Sequence, residues 1–288
     1  MSGTQVFAQT VLNGLLMGCI IALVAIGIAL IRGVMDMVNF AQGEFLMLGM
    51  YCAFWVNRLT GLDPLLTAPI AGAVLFVLGA VMYKTLVRRV VGAPMLAQVL
   101  LTFGFSIVLV NTALFLWGAE FRTIPETWIR GNVDIGGVVI GVTTLVPAVV
   151  SVIMAAGVYW FMVKTRMGRA LQATAMNKHA AALVGIDTER VYALAFGLAS
   201  ACAGVAGSVL ALSYYVFPMV GTVFNLFAFV AVALGGFGSI PGAFIGGLII
   251  GVADSVTGFY VSTAFKYVVA FGIYLATVIW RPKGLFGW

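Results

Sequence analysis

Uncharged apolar runs about as long as a bilayer is thick recur along almost the whole of this 288-residue chain, and that recurrence leaves few folds open. A helix needs about 20 apolar residues to cross the hydrocarbon core, and roughly nine segments meet that length. They read as Val6 to Ile31, closed by Arg32, then Val34 to Val56, Leu65 to Val87, Met95 to Trp117, Thr143 to Val163 and Val191 to Tyr214. Three more are short or glycine-broken: Val223 to Leu234, Pro241 to Gly258 and Phe265 to Trp280. Only 8% of residues are charged, against about 25% in a soluble domain, so a soluble globule is excluded. The expected fold class is all-α, a single transmembrane domain over residues 1–288 with roughly eight or nine membrane helices. No basic segment precedes the first run, which is expected to stay as a span and not to be cleaved as a signal.

Charge placement orients the chain. Alternating spans put Arg32, Lys84, Arg88, Arg89, Lys164, Arg166, Arg169, Lys178, Arg190, Arg281 and Lys283 on one side. Arg58, Arg122, Arg130 and Lys266 fall on the other. The richer side is cytoplasmic by the positive-inside rule, so the N-terminus is expected outside and the C-terminus inside. The net charge of +6 therefore reflects lipid orientation, not nucleic-acid binding. Cys19, Cys52 and Cys202 are widely spaced in apolar runs and suggest neither disulfide nor metal. His179 is the single histidine, so no histidine cluster exists for a metal.

The longest polar passage, Gly168 to Asp187, is rich in strong helix formers. Leu171, Ala175, Lys178 to Ala182 and Ile186 recur at helical steps, which predicts a short amphipathic helix. It is either a solvated connector or a helix that docks into a groove of a soluble partner.

Two interruptions break the apolar pattern. Asp36 to Glu44 (DMVNFAQGE) sits at the expected inner edge of the second span. Its polar groups are either a cap and turn or a break lining or gating a path, with Asn39, Gln42, Gly43 and Glu44 as candidates. Leu234 to Ala243 (LGGFGSIPGA) holds too much glycine and proline for a regular helix. Gly235, Gly236, Gly238 and Ser239 read equally as a tight turn or as a pathway break, while Gly242 to Gly251 reads as a small-residue packing surface. Asp254 is an isolated carboxylate in an apolar run and Lys266 an interfacial anchor, as are Trp117, Trp128 and Trp280. A polar loop, Gly118 to Gly141, carries Glu120, Arg122, Glu126, Arg130 and Asp134. No Walker A sequence and no catalytic constellation is present, so the chain is not expected to be an enzyme.

Asn39 to Gly49 (NFAQGEFLMLG), Gly168-Arg-Ala, Ala180 to Ile186 (AAALVGI), Leu234 to Ala243 and Arg281 to Gly287 (RPKGLFG) together resemble the permeases of bacterial branched-chain amino acid ABC importers, specifically the shorter of two paired permeases. The resemblance covers nearly the whole chain. It implies an inner-membrane subunit forming half of a translocation pathway with a second, related permease. It also implies two cytoplasmic ATPases, which would hold the ATP and Mg while this chain binds no cofactor, and an external substrate-binding protein docking on the Gly118–Gly141 loop. The importer coupling signature Glu-Ala-Ala-x-x-x-Gly corresponds to His179, Ala180, Ala181 and Gly185, with histidine in place of the acid. Gly168, Arg169, Lys178 and Asp187 complete the implied ATPase-coupling set. The implied substrates are leucine, isoleucine and valine. Urea or short amides, for which Asn39 and Gln42 would be partners, or aromatic acids are alternatives. A stand-alone channel or ion-coupled carrier would show more intramembrane charge than Asp254 and Glu44 supply.

Overall fold

The computed structural model describes residues 3–124, 127–128, 131–135 and 138–286. Among these, the helices in chain order are α1 (Gly3–Met35), α2 (Gln42–Thr60), α3 (Pro64–Thr85), α4 (Met95–Trp117), α5 (Val142–Lys164), α6 (Arg166–Met176), α7 (Lys178–Leu183), α8 (Thr188–Leu210), α9 (Val220–Gly235), α10 (Ile240–Tyr260) and α11 (Lys266–Trp280). An antiparallel hairpin, β1 (Asn132–Ile135) with β2 (Val138–Gly141), stands in the loop before α5. The expectation of an all-α polytopic membrane protein holds. Seven helices are long and apolar enough to cross a membrane: α1, α3, α4, α5, α8, α10 and α11 with the turn before it. The other two places are taken by α2 and by the 16-residue α9.

α1 and α8 are almost wholly buried and form the centre of the bundle, whereas α4 and α11 lie at its edge. Small residues let the central helices touch. On α10, Gly251 meets Gly14 and Gly18 of α1, and a Cβ on Gly247 would stand 2.5 Å from that of Ala22. Gly242 and Gly246 of α10 instead face Gly235 and Ala231 of α9. The packing role read for Gly242 to Gly251 is therefore correct, and it serves two neighbours at once.

The first span differs from its expected end. Arg32 does not close α1. Its guanidinium pairs with Asp36 at 3.2 Å and donates to the Asp36 carbonyl at 3.0 Å, and the helix continues through Met35. It stops because Asp36 takes a left-handed φ of 50°, and its N–H returns to the Arg32 carbonyl. At 1.5 Å per residue the 33 residues of α1 span about 50 Å, well beyond a hydrocarbon core of about 30 Å. The chain then turns back into the bundle as non-helical backbone from 36 to 41.

The basic-rich ends gather at one end of the molecule. Arg88, beyond α3, pairs with Glu189 at the start of α8 at 2.7 Å. Gly33 of α1 abuts Gly238, and the tail donates from Leu285 and Phe286 to the carbonyls of Leu234 and Gly235. Gly287 lies outside the described residues.

Candidate functional site

The polar stretch does not sit at the edge of a span, as the sequence suggested. It lies halfway along the bundle. Gln42 donates to the carbonyl of Ala199 at 2.8 Å, and Ala199 is the midpoint of α8. Ser106, the midpoint of α4, donates to Glu44 at 2.8 Å. Both midpoints are about 16 Å from either helix end. Backbone that is not helical at that depth must be satisfied by protein, since lipid offers no partner.

Several open groups of the break find such a partner. Asn39 accepts from the Ala41 N–H at 3.1 Å and donates to Gln42 at 3.3 Å. Thr102 of α4 donates to the Val38 carbonyl at 3.3 Å. From α9, Asn225 accepts from the Gly43 N–H at 3.2 Å and donates to the Phe40 carbonyl at 2.9 Å. One side chain on a neighbouring helix thus closes both sides of the break. Sequence reasoning passed over Asn225, Thr102 and Ser106. The available signal was a single amide in the apolar run of α9 (VGTVFNLFAF).

The Glu44 side chain is only half satisfied. It is buried, one oxygen accepts from Ser106, and the other has no hydrogen-bond partner among the described residues. That second oxygen lies against Gly221, in the first turn of α9, while Glu44 itself occupies the first turn of α2. Two helix N-termini therefore present their positive dipole ends to one carboxylate at membrane depth. In transporters such N-termini commonly face an anionic group of the substrate; here they face a carboxyl group of the protein itself.

The approach of α2 to α9 leaves no room for a side chain. A Cβ on Gly43 would stand 2.1 Å from the Gly221 carbonyl oxygen and 2.6 Å from the Asn225 Cβ. Gly43→Ala is expected to lose about 1–3 kcal/mol of stability through overpacking, seen as a lower unfolding midpoint of the purified protein. Gly157→Ala, where nothing lies within 4 Å, is expected to leave the midpoint unchanged or raise it.

Asn39, Gln42, Gly43 and Glu44 are thus brought together. Gly235, Gly236, Gly238 and Ser239 are not brought to the same place. They form the turn between α9 and α10, where Ser239 caps α10 by accepting from Gly242 at 3.1 Å. Along α1 this turn meets Gly33, whereas Gln42 meets Gly27, an axial separation of about 9 Å.

The predicted amphipathic helix over 168–187 is two helices. Asn177 breaks it, adopting extended backbone and accepting from the N–H groups of His179 and Ala180 at 3.0 Å as the cap of α7. α6 begins before Gly168, capped by Thr165. Gly168 and Ala181 face the bundle, while Arg169, Lys178, His179, Ala180, Gly185 and Asp187 are exposed. Gly185 ends α7 with a φ of 86°, letting the Ile186 N–H reach the Ala181 carbonyl at 3.0 Å. Asp187 caps α8 and pairs with Arg190 at 2.8 Å. Beside this capped turn, Leu183 and Val184 are 89% and 77% exposed.

The isolated charges find structural partners. Lys266 pairs with Asp254 at 3.0 Å, joining α10 to α11. Trp117, half-buried at the end of α4, stacks on Tyr51 with centroids 4.0 Å apart. Of the loop charges, Glu126 and Arg130 lie outside the described residues.

The family described as "Branched-chain amino acid transport system / permease component" matches residues 10–278. The chain belongs to this family. It is 35% identical to the high-affinity branched-chain amino acid transport system permease protein LivH of Salmonella typhimurium, over 98% of this chain and 96% of that one. Identity to BraD of Pseudomonas aeruginosa, which carries the same description, is 34% over the same shares. A probable branched-chain amino acid transport permease LivH of Methanocaldococcus jannaschii is 28% identical, covering 93% of this chain and 89% of its own. Among solved structures, PsaBC from Streptococcus pneumoniae in complex with Fab aligns at a TM-score of 0.49 and 15% identity, over 94% of this chain and 91% of that one. The chain is a multi-pass membrane permease.

Proposed function

We propose that this permease is one half of the translocation pathway of an ATP-driven importer for leucine, isoleucine and valine in the bacterial inner membrane. Its N-terminus lies outside and its C-terminus in the cytoplasm. A second, related permease completes the pathway, two cytoplasmic ATPases supply the ATP and Mg chemistry, and an external binding protein delivers the amino acid to the 118–141 side. The observation that carries the reading is the break at residues 36–41, held at mid-depth with a half-satisfied Glu44 beside two helix N-termini. α6 and α7, with Arg169, Lys178, His179, Ala180, Gly185 and Asp187 outward, form the surface on which an ATPase pulls. Because α6 follows α5 directly and α7 leads into α8, movement there reaches α8, to which Gln42 is tied. The amide and urea alternative loses its main support, since the Asn39 and Gln42 amides are already engaged with each other and with Ala199.

The test is uptake of labelled leucine by vesicles holding this chain with the products of its neighbouring genes, with and without ATP. ATP-dependent leucine uptake is expected. Gly185→Asp is expected to remove it while the complex still assembles, because a side chain at that left-handed position strains the end of α7 by about 1–2 kcal/mol and adds a negative charge at a helix C-terminus. Uptake by this chain alone, indifferent to ATP, would overturn the importer.

A further inference from the structure

At the outer end of α2, three buried polar atoms point to no partner among the described residues: the Tyr51 hydroxyl, the Trp55 indole nitrogen and Nε of Arg122. They share one neighbourhood. Tyr51 stacks on Trp117, and Arg122 donates to the Trp117 carbonyl at 2.5 Å. The same guanidinium sits 5.4 Å from the ring centre of Phe54 and 5.7 Å from that of Trp55, within electrostatic reach of the Tyr51 hydroxyl. Its backbone is fixed as well, pairing with Val216 in both directions at 3.0 and 2.8 Å. Arg122 makes no ion pair among the described residues, although sequence reasoning treated it as an ordinary outer charge.

Two of the three unsatisfied atoms, those of Trp55 and Arg122, can only donate hydrogen bonds, and the Tyr51 hydroxyl can also donate. Together with one positive charge they match a carboxylate, whereas an ammonium group would find one acceptor, the Tyr51 hydroxyl, beside a like-charged guanidinium. The guanidinium is bordered by the rings of Phe54 and Trp55, with Tyr51 stacked on Trp117 beside it, an apolar setting that suits an aliphatic side chain. The burial of the three atoms favours a small solute over the surface side chain of a folded partner. We infer that Tyr51, Trp55 and Arg122 form an outer station that binds the α-carboxylate of the transported amino acid. This rests on the proposed importer of branched-chain amino acids.

Glu44, Leu48, Tyr51 and Trp55 lie on one stripe of α2, the one that faces Ser106 and Trp117 of α4. From Glu44 to Tyr51 and Trp55 is about 10–16 Å along the helix axis. The ammonium and carboxylate of one amino acid hang from the same carbon and cannot reach both ends of that span. The outer station therefore precedes Glu44 on the path and does not share its occupant at the same moment.

Tyr51→Phe with Trp55→Phe removes two donors and retains two aromatic rings. Burial without a partner is unfavourable, so a station that is always empty predicts a variant as stable as the parent or more so, with full uptake. A station that binds carboxylate predicts the same stability with ATP-dependent leucine uptake reduced about tenfold or more. Stimulation of the complex's ATPase by substrate-free binding protein should stay at the parental level. Parental uptake in the double variant would overturn the inference, as would loss of that stimulation, which would move the donors to a side-chain carboxylate of the binding protein. A lower melting midpoint with parental uptake would assign them to a structural water and overturn it too. The parental complex is the separate control: if it imports no amino acid, the importer reading has failed first.

Discussion

Asn225→Ala is expected to abolish ATP-dependent uptake and to lower the stability of the permease by about 2–6 kcal/mol. The amide of Asn225 accepts from the N–H of Gly43 and donates to the carbonyl of Phe40. The first is an N–H in the opening turn of α2, which has no intrahelical acceptor, and the second is a carbonyl of the non-helical stretch from 36 to 41. Removing the amide strands a donor and an acceptor at mid-depth, and each stranded group loses about 1–3 kcal/mol. A water entering the space left by alanine would recover part of this. Asn225→Leu leaves no such space and is expected to be the worse of the two. Function should fail with stability because the same bonds place Glu44 between the first turns of α2 and α9. Unfolding midpoints in detergent and vesicle uptake, taken together, check the claim. A leucine variant as stable and active as the parent would show that the break is held by something else.

The class of the molecule was legible because hydrocarbon and charge leave little choice. Runs of apolar residues place the spans, and glycines spaced by four on α10 announce a close helix pair. Depth was not legible. Arg32 looks like the end of a span, but its pairing with Asp36 lets the helix run on, and the following polar residues fall deep inside the bundle rather than at its surface. The error is one of register along the membrane normal, which a linear pattern of apolar residues does not encode. Likewise the polar passage over 168–187 has helical spacing throughout. Asn177 interrupts it through a side-chain cap worth about 1 kcal/mol, enough to divide a short helix into two.

The candidate site shows the same division. Asn39, Gln42, Gly43 and Glu44 are neighbours in sequence and could be singled out. Asn225, Thr102 and Ser106 come from α9 and α4 and join them only through the tertiary fold. Arg122 was counted as an outer charge of the 118–141 loop, and its guanidinium lies against the Phe54 and Trp55 rings of α2. In each case the residue type was visible, and its neighbours were not.

Leu183→Asp combined with Val184→Asp is expected to uncouple the permease from its ATPases without unfolding it. These side chains are 89% and 77% exposed, so they contribute little to the stability of this chain. Their position is nevertheless fixed, by the Asn177 cap at one end of α7 and the left-handed Gly185 at the other. Apolar side chains held out rigidly beside Lys178 and His179 are suited to filling a groove, since little conformational entropy remains to be lost on docking. Burying a leucine and a valine contributes roughly 3–6 kcal/mol together, so replacing both by aspartate should weaken ATPase binding about a hundredfold or more. Co-purification of the ATPases should fall and ATP-dependent uptake should vanish, while the melting midpoint of the permease alone falls by only a few degrees, the cost of two negative charges at the C-terminus of α7. Gly185→Asp strains the turn itself, whereas this pair keeps the left-handed glycine and changes the exposed side chains and their charge. If the double variant retained its ATPases and its uptake, docking would have to be transferred from the tip of α7 to the exposed face of α6, where Arg169 lies.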